Sequence, residues 1–346
     1  MKTIKKAASI EDVARLAGVS VMTVSRVMNR SVHVSTITKE KVENAVKTLN
    51  YRPNMVAKSL VTQRTHIVAY ITNNMTDLFH TEVGRGIEEI CYKRNYIVII
   101  CDANSTPRQK EYINMLLDRK VDGAIFHHTN ISKEEIERLN AAGIQCVLID
   151  NENDWDNAGI VNTDNFNGGY MAAEHLIRAG HSRIACIHGR LSNGDPDGTN
   201  IDVVRTWRER TSGFLAGLSA CGIKPERLIE SDSRMKNALL TANRFLDDIL
   251  KMRQPPTAVY CENDVIALSV LSEALEKNVP VPDRLAIVGH DGIETSISLY
   301  PRVTTVVLPH YETGMKAADM LIDLIENKHE INKIVLNPKL FVGSTT

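Results

Sequence analysis

The sequence predicts two unlike parts: a small all-α head of helix-turn-helix type over residues 1–64, and an α/β core over 65–346 built as two lobes around open parallel sheets. Three observations predict this. Apolar residues recur with a helical period through the first fifty positions. From residue 66 onward, short Val/Ile/Ala-rich runs alternate with helical segments. The charge divides at the same boundary: residues 1–64 hold 12 Lys/Arg against 4 Asp/Glu, a balance of +8, and the remainder holds 29 against 38, a balance of −9. A basic head on an acidic body is the asymmetry expected of a nucleic-acid-binding module joined to a second function.

In the head, Ser9 is placed to cap a first helix, with Asp12 three residues on. Ile10, Val13, Ala14 and Ala17 share one face, and Gly18 stops the helix by taking positive φ. Ser20 caps a second helix over 21–28, whose Val24, Val27 and Met28 face inward. Its outer face carries Val21, Met22, Ser25 and Arg26. That mixture suits a major groove: Arg26 can donate two bonds to guanine, Ser25 can meet base or phosphate, and Val21 and Met22 can touch thymine methyls. Ser35 caps a third helix with Val42, Ala45, Val46 and Leu49 as its buried stripe, and Lys39, Lys41 and Lys47 lie near its outer surface. Pro53 and Asn54 then open a short helix over about 54–62, too short to be stable alone in water.

In the core, strands are expected at 67–71, 96–101, 123–126, 146–149, 184–187, 257–261, 285–289 and 304–308, with helical segments such as 171–179 and 265–276 between most of them. Near-continuous apolar strands imply sheets covered on both faces. About 280 residues exceed what one such sheet takes, hence two lobes. Ligands of open α/β sheets sit at the carboxyl ends of the strands. The polar residues that follow the strands are therefore the candidates: Asn73, Asn74, Asp150, Asp164, Asn263, Asp264 and Asp291. Carboxylates and amides aimed into one cleft suit a ligand rich in hydroxyls.

Other classes are disfavoured. No stretch approaches the roughly 20 apolar residues that span a bilayer, and no apolar run follows the basic N-terminus as a signal peptide requires. A cytoplasmic location is expected. The six cysteines are widely spaced without a CxxC pair, and no clustered zinc ligands are evident, so neither metal nor cofactor is expected. Gly84-Arg85-Gly86 runs on into a helical Ile87-Glu88-Glu89 with no third glycine, and GxxxxGK[ST], HExxH and GxSxG motifs are missing, so no enzyme is indicated.

The run Ile10-Glu11-Asp12-Val13-Ala14, Ala17-Gly18-Val19-Ser20 and Thr23-Val24-Ser25-Arg26-Val27-Met28-Asn29, followed by Val34-Ser35, Lys41-Val42, Leu49-Asn50-Tyr51-Arg52-Pro53-Asn54 and Ala57-Lys58-Ser59-Leu60, resembles the head of the LacI/GalR family of bacterial transcription regulators. Residues 65–346 resemble the family's periplasmic-binding-protein-like core through Arg85-Gly86-Ile87-Glu88, Val121-Asp122-Gly123, Asp164-Asn165, Arg210, Gly213-Phe214, Asn263-Asp264, Gly289-His290-Asp291 and Thr304-Thr305-Val306. The resemblance spans essentially the whole chain. It implies two Rossmann-like lobes, the first about 65–164 with 295–325 and the second about 165–294 with 326–346. It also implies a repressor of sugar-utilisation genes whose affinity for pseudo-palindromic operator DNA is modulated by a small molecule, a sugar, bound between the lobes. The alternative is a family member that answers to a nucleobase or a partner protein.

By position, the resemblance makes Val21 and Met22 the variable recognition residues, with Ser20, Thr23, Ser25, Arg26, Asn29, His33 and Ala57 completing the DNA-binding set. Leu60 matches a leucine that wedges into the minor groove. Effector contacts are expected at Phe79, His80, Asp150, Asp164, Arg210, Asn263 and Asp291, with Arg210 and Asp291 as polar anchors and Trp207 able to stack on a sugar ring. The polar, Gly/Asp/Asn-rich segment 190–206 is longer than the family's usual loop, and Leu308 stands where some members place a polar contact. A homodimer is expected, since two heads then read a two-fold site and the short helices pair. The chain carries no apolar heptads after its last strand, so no tetramer is expected.

Overall fold

The computed structural model describes residues 8–28, 34–52, 54, 59, 62–189, 205–231, 235–328 and 330–346. The chain forms two compact units, 1–65 and 66–346.

The head is built from α1 (Ile10–Ala17), α2 (Val21–Met28) and α3 (Thr36–Leu49). Its caps follow the sequence. Ser9 and Asp12 form a reciprocal capping box on α1, and Gly18 ends that helix at φ 66°. The Ser20 hydroxyl accepts from Thr23 N at 3.1 Å to start α2, and Ser35 caps α3 in the same way. Val13, Ala14, Ala17, Val24, Val27, Val42 and Ala45 close the small core. Burying this stripe fixes α2 with its opposite face outward. The short helix expected at 54–62 lies largely outside the described residues.

The core contains β1 (Ile67–Thr72), α4 (Leu78–Lys93), β2 (Ile97–Asp102), α5 (Thr106–Arg119), β3 (Gly123–His127), α6 (Lys133–Ala141), β4 (Gln145–Ile149), β5 (Gly159–Thr163) and α7 (Asn165–Arg178). It continues with β6 (Ile184–His188), α8 (Arg205–Ala220), β7 (Arg227–Glu230), α9 (Met235–Leu250), β8 (Ala258–Cys261), α10 (Asp264–Glu276), β9 (Ala286–Asp291), α11 (Glu294–Ser298), β10 (Thr304–Val307), α12 (His310–Ile325), β11 (Lys333–Leu336) and β12 (Lys339–Phe341). One sheet runs β11-β5-β4-β3-β1-β2 and the other β12-β10-β9-β8-β6-β7. All pairings are parallel except β10 with β12. Apolar clusters cover both faces of each sheet, which is why the central strands lack polar alternation.

The expected lobe limits need one correction. β10 belongs to the second sheet and β11 to the first. The chain therefore crosses between lobes after β5, after β10 and again between β11 and β12. α12 does cover the first sheet, through Ala317, Ala318, Leu321 and Ile322. The short strands β5, β7, β11 and β12 were not anticipated, because each pairs at or near a sheet margin and carries too few apolar residues to stand out.

Glycine sets one helix contact that matters for the cleft. A Cβ at Gly213 would lie 1.9 Å from Phe166 O, and one at Gly169 2.0 Å from Arg210 O. α7 and α8 therefore touch backbone to backbone, which brings Arg210 beside Asn165 at the start of α7.

Candidate functional site

On the head, α2 presents Val21 at 41% and Met22 at 65% exposure, with Arg26 exposed beside them. Two uncovered apolar side chains and a guanidinium on one face match thymine-methyl and guanine contact. Ser25 is half-buried, and Ser20 and Thr23 are joined hydroxyl to hydroxyl at 2.9 Å within the cap. Asn29, His33, Ala57 and Leu60 lie outside the described residues.

In the core, the strand ends of the two sheets meet in a cleft. Three residues at those ends hold left-handed backbone: His128 (φ 49°), Asp150 (φ 44°) and Asp291 (φ 108°). Non-glycine residues there cost of order 1–2 kcal/mol each, and such strain concentrates at functional sites. Surrounding bonds hold it: His128 N donates to Ile149 O at 3.2 Å, and Asp291 O accepts from Leu308 N at 3.2 Å.

Arg210, on α8, anchors the second-lobe wall. Its Nε donates to Asn165 Oδ1 at 2.8 Å, and its Nη1 donates to Glu262 O and pairs with Asp291 Oδ1, each at 2.8 Å. Both side chains of the pair are buried. Nη2 is left without a protein partner among the described residues. Burial drives the Asp291 carboxyl upward, and the guanidinium pulls it back. Below the pair, Glu262 accepts from Gly189 N and, at 2.7 Å, from the Thr211 hydroxyl. Burial outweighs these bonds and pushes its carboxyl up to about 7.

The first-lobe wall is made of rings. Phe79 and His80, at the start of α4, stand 4.0 Å apart between centroids, and Phe79 lies 5.5 Å from both His128 and His310. His127 ends β3 and lies 4.5 Å from His80. The Nδ1 atoms of His80 and His127 approach the hydroxyls of Thr72 and Tyr70 at 2.7 Å each, and each other at 3.1 Å. His310 donates from Nε2 to Asp291 O at 2.9 Å, which ties this wall to the opposite one. Burial, with mutual repulsion and the charge of Arg210, keeps these imidazoles neutral: His128 falls to about 3, His310 to about 4, and His80 and His127 lie well below the ordinary value. Asp77 rises to about 6 through burial and the nearby Asp291 charge.

A second tie joins the lobes at the rim. Arg205, which opens α8, bonds Asp154 at 2.6 Å, and its backbone N–H donates to Glu152 at 2.9 Å. Arg208 also bonds Glu152, and Lys333 meets Asp154 at 2.6 Å.

Of the expected effector residues, Phe79, His80, Arg210 and Asp291 gather at the cleft. The others are committed within the protein. Asp150 spends both oxygens on Thr163, at 2.7 and 2.8 Å, and burial lifts it to about 6. Asp164 caps α7 through Asn167 N at 3.0 Å, and Asn263 caps α10 through Ile266 N at 2.8 Å. Asp264 accepts from Thr305, Ser296 and Ile293 N, and Asn74 accepts from Thr76. Trp207 lies over Gly189, where an added Cβ would meet the indole at 2.4 Å. Residues 190–204 of the long loop lie outside the described residues. Leu308 is buried in the second-lobe core.

Sequence reasoning missed His127, His128, His310, Asp77 and Glu262. The signal was available: His127-His128 directly follow the expected strand 123–126, in the position that singled out Asp150 and Asp291. The expectation of no clustered metal-ligand side chains is also corrected, because the fold gathers His80, His127 and His128.

A helix-turn-helix head that displays α2, followed by two α/β lobes around a polar cleft, defines a DNA-binding transcription regulator with a periplasmic-binding-protein-like core. Comparison with known proteins agrees. The family model described as bacterial regulatory proteins, lacI family, matches residues 9–54, and that of the periplasmic binding protein-like domain matches 173–346. The HTH-type transcriptional repressor PurR of Vibrio atlanticus (strain LGP32) is 35% identical over 343 residues, 98% of each chain. The lac repressor dimer bound to operator and the anti-inducer ONPF superposes with a TM-score of 0.82 at 26% identity, over 98% of this chain and 99% of that one. A complex of the transcriptional regulator CelR with cellobiose gives a TM-score of 0.69 at 26% identity, over 98% and 100%. The chain belongs to the LacI family of bacterial regulatory proteins and is a DNA-binding transcription repressor of that family.

Proposed function

We propose that operator affinity in this repressor is set by a planar nitrogen heterocycle of nucleobase type, bound between the ring wall of the first lobe and the Arg210–Asp291 pair of the second. The observation that carries this reading is the division of labour in the cleft. The carboxylates and amides that would read sugar hydroxyls, Asp150, Asp164, Asn263 and Asp264, are spent on backbone and hydroxyl groups of the protein. What faces the cleft instead is Phe79 with the half-buried, neutral rings of His128 and His310, backed by the buried His80 and His127, a surface for stacking with edge donors and acceptors. Arg210 Nη2 supplies a charged donor opposite. A sugar is the second reading, favoured by the similarity to the cellobiose-bound regulator.

The DNA side uses Val21, Met22, Ser25 and Arg26 in the major groove, Ser20 and Thr23 at the start of the reading helix, Asn29 and His33 toward phosphates, and Ala57 and Leu60 in the minor groove. The working unit is a homodimer acting in the cytoplasm. Apolar side chains favour a partner copy: Ile97 and Ile100 on edge strand β2 are 66% and 56% exposed, and Tyr92 on α4 is 77% exposed. The lac repressor is itself seen as a dimer on its operator. Effector binding changes the angle between the lobes, and a coupling of about 1–3 kcal/mol changes operator affinity about 5–150-fold.

Fluorescence anisotropy on a selected pseudo-palindromic operator tests this. The purine and pyrimidine bases form one ligand series, and ribose, glucose, galactose and cellobiose the other. At least one base is expected to shift the binding midpoint about fivefold or more. A response confined to sugars overturns the heterocycle reading, and silence in both series points to a partner protein.

A further inference from the structure

We propose that the first lobe binds a divalent transition-metal ion of the Zn2+ class on His80, His127 and His128. One ring nitrogen from each lies within 4.8 Å of the other two. The three come from two elements that the fold holds rigidly: the first turn of α4, and the end of β3 with the residue after it.

The donor set selects the ion. Imidazole nitrogen suits Zn2+, Ni2+ and Cu2+, whereas Ca2+ and Mg2+ require oxygen ligands that this trio lacks. Zn–N bonds of about 2.0–2.1 Å in a tetrahedron separate neighbouring nitrogens by roughly 3.3 Å. The full trio must close by roughly 1.5 Å to reach tetrahedral spacing. The half-buried His128, whose ring makes no hydrogen bond among the described residues, supplies that movement by turning its side chain on a fixed backbone.

What lies behind the rings supports ligation. A metal-bound histidine ordinarily gives its second N–H to an oxygen, which fixes the ring. Thr72 and Tyr70, both 0% exposed, place hydroxyl oxygens 2.7 Å from Nδ1 of His80 and His127. The Tyr70 hydroxyl has its own acceptor in His80 O, at 3.2 Å. With Nδ1–H directed at those oxygens, the Nε2 lone pairs of both rings are left for the metal. His128 has no hydrogen-bond partner at either ring nitrogen among the described residues. Arg210, whose charge reaches His128, is paired with Asp291 at 2.8 Å. Three protein ligands leave a fourth position for water or for an atom of a bound effector.

This site does not rest on the heterocycle reading, and its test uses neither DNA nor an organic effector. Full-length protein stripped with EDTA is titrated with Co2+, followed by its visible d–d bands, and then with Zn2+ in competition. The expected result is a band that saturates at one ion per chain and disappears as Zn2+ is added. His128→Asn should weaken binding at least about tenfold while the protein stays folded, because Asn tolerates left-handed backbone. His127→Gln should show the same loss. His181→Asn, in the second lobe beside Thr257, should change nothing. No visible band, or a band of unchanged strength in both His127 and His128 variants, overturns the proposal.

Discussion

Arg210→Ala is expected to destabilise the core by about 3–5 kcal/mol, the range for removing one partner of a buried ion pair. The size follows from what the guanidinium holds. Its side chain is 6% exposed and that of Asp291 is 7%, so no bulk water is at hand to replace the lost charge. Truncation leaves Asp291 as an unmatched buried carboxylate and strips a donor from both Asn165 Oδ1 and Glu262 O. For a domain of this size each kcal/mol moves the melting temperature by about 2–4 °C, so calorimetry should show the core transition falling by roughly 6–20 °C. The pairwise character is checked by a double-mutant cycle. Arg210→Met with Asp291→Asn should recover part of the loss, since no charge is left unpaired and Asn tolerates the left-handed backbone, while Asn165 Oδ1 and Glu262 O still lack their donor. If Arg210→Ala costs under about 1 kcal/mol, or if the two substitutions add without coupling, the pair behaves as a solvent-screened surface contact, and the cleft anchor described above is wrong.

Phe79→Ala should weaken effector binding about tenfold in calorimetry while operator affinity without effector stays the same; equal affinity would remove Phe79 from the stacking wall. Arg205→Ala cuts the rim tie to Asp154 and should lower effector affinity about three- to tenfold, near 1 kcal/mol; no change would mean that the tie does not help to hold the lobes together. Glu262 has a folded pKa of about 7 against an ordinary 4.5, so its contribution is present below 4.5 and is lost as pH rises through 7. The stability of Glu262→Gln relative to the native protein should therefore grow between pH 5 and pH 8, by on the order of 2–3 kcal/mol; a difference that does not vary with pH would refute the buried-carboxylate assignment.

The three helices α1, α2 and α3 of the head were legible because their signals are local, although Met28, expected to face inward, is 36% exposed. Ser9, Ser20 and Ser35 act within three residues of their own positions, and Gly18 within one turn. The core strands were legible where both faces are buried, as in β1, β3, β4, β6, β8 and β9. The lobe limits were not, because β10 and β11 lie near each other in sequence yet join different sheets, and nothing local to either records the crossing. Half of the cleft was readable for a similar reason. Arg210 and Asp291 stand out as charges beside apolar runs, but whether Asp150 faces a ligand or Thr163 depends on a neighbouring strand. The imidazole cluster joins residues 47 positions apart across the sheet, and only the pairing of β1 with β3 reveals it.

Reciprocity of the two binding events offers the most direct test. Whatever factor the effector imposes on operator affinity, the operator must impose on effector affinity. Calorimetric titration of the active heterocycle into the dimer, alone and saturated with operator, should give dissociation constants that differ by that same factor, about 5–150-fold. Identical constants in the two titrations would mean that the cleft and the reading helix are uncoupled, and the account of this repressor would fail at its centre.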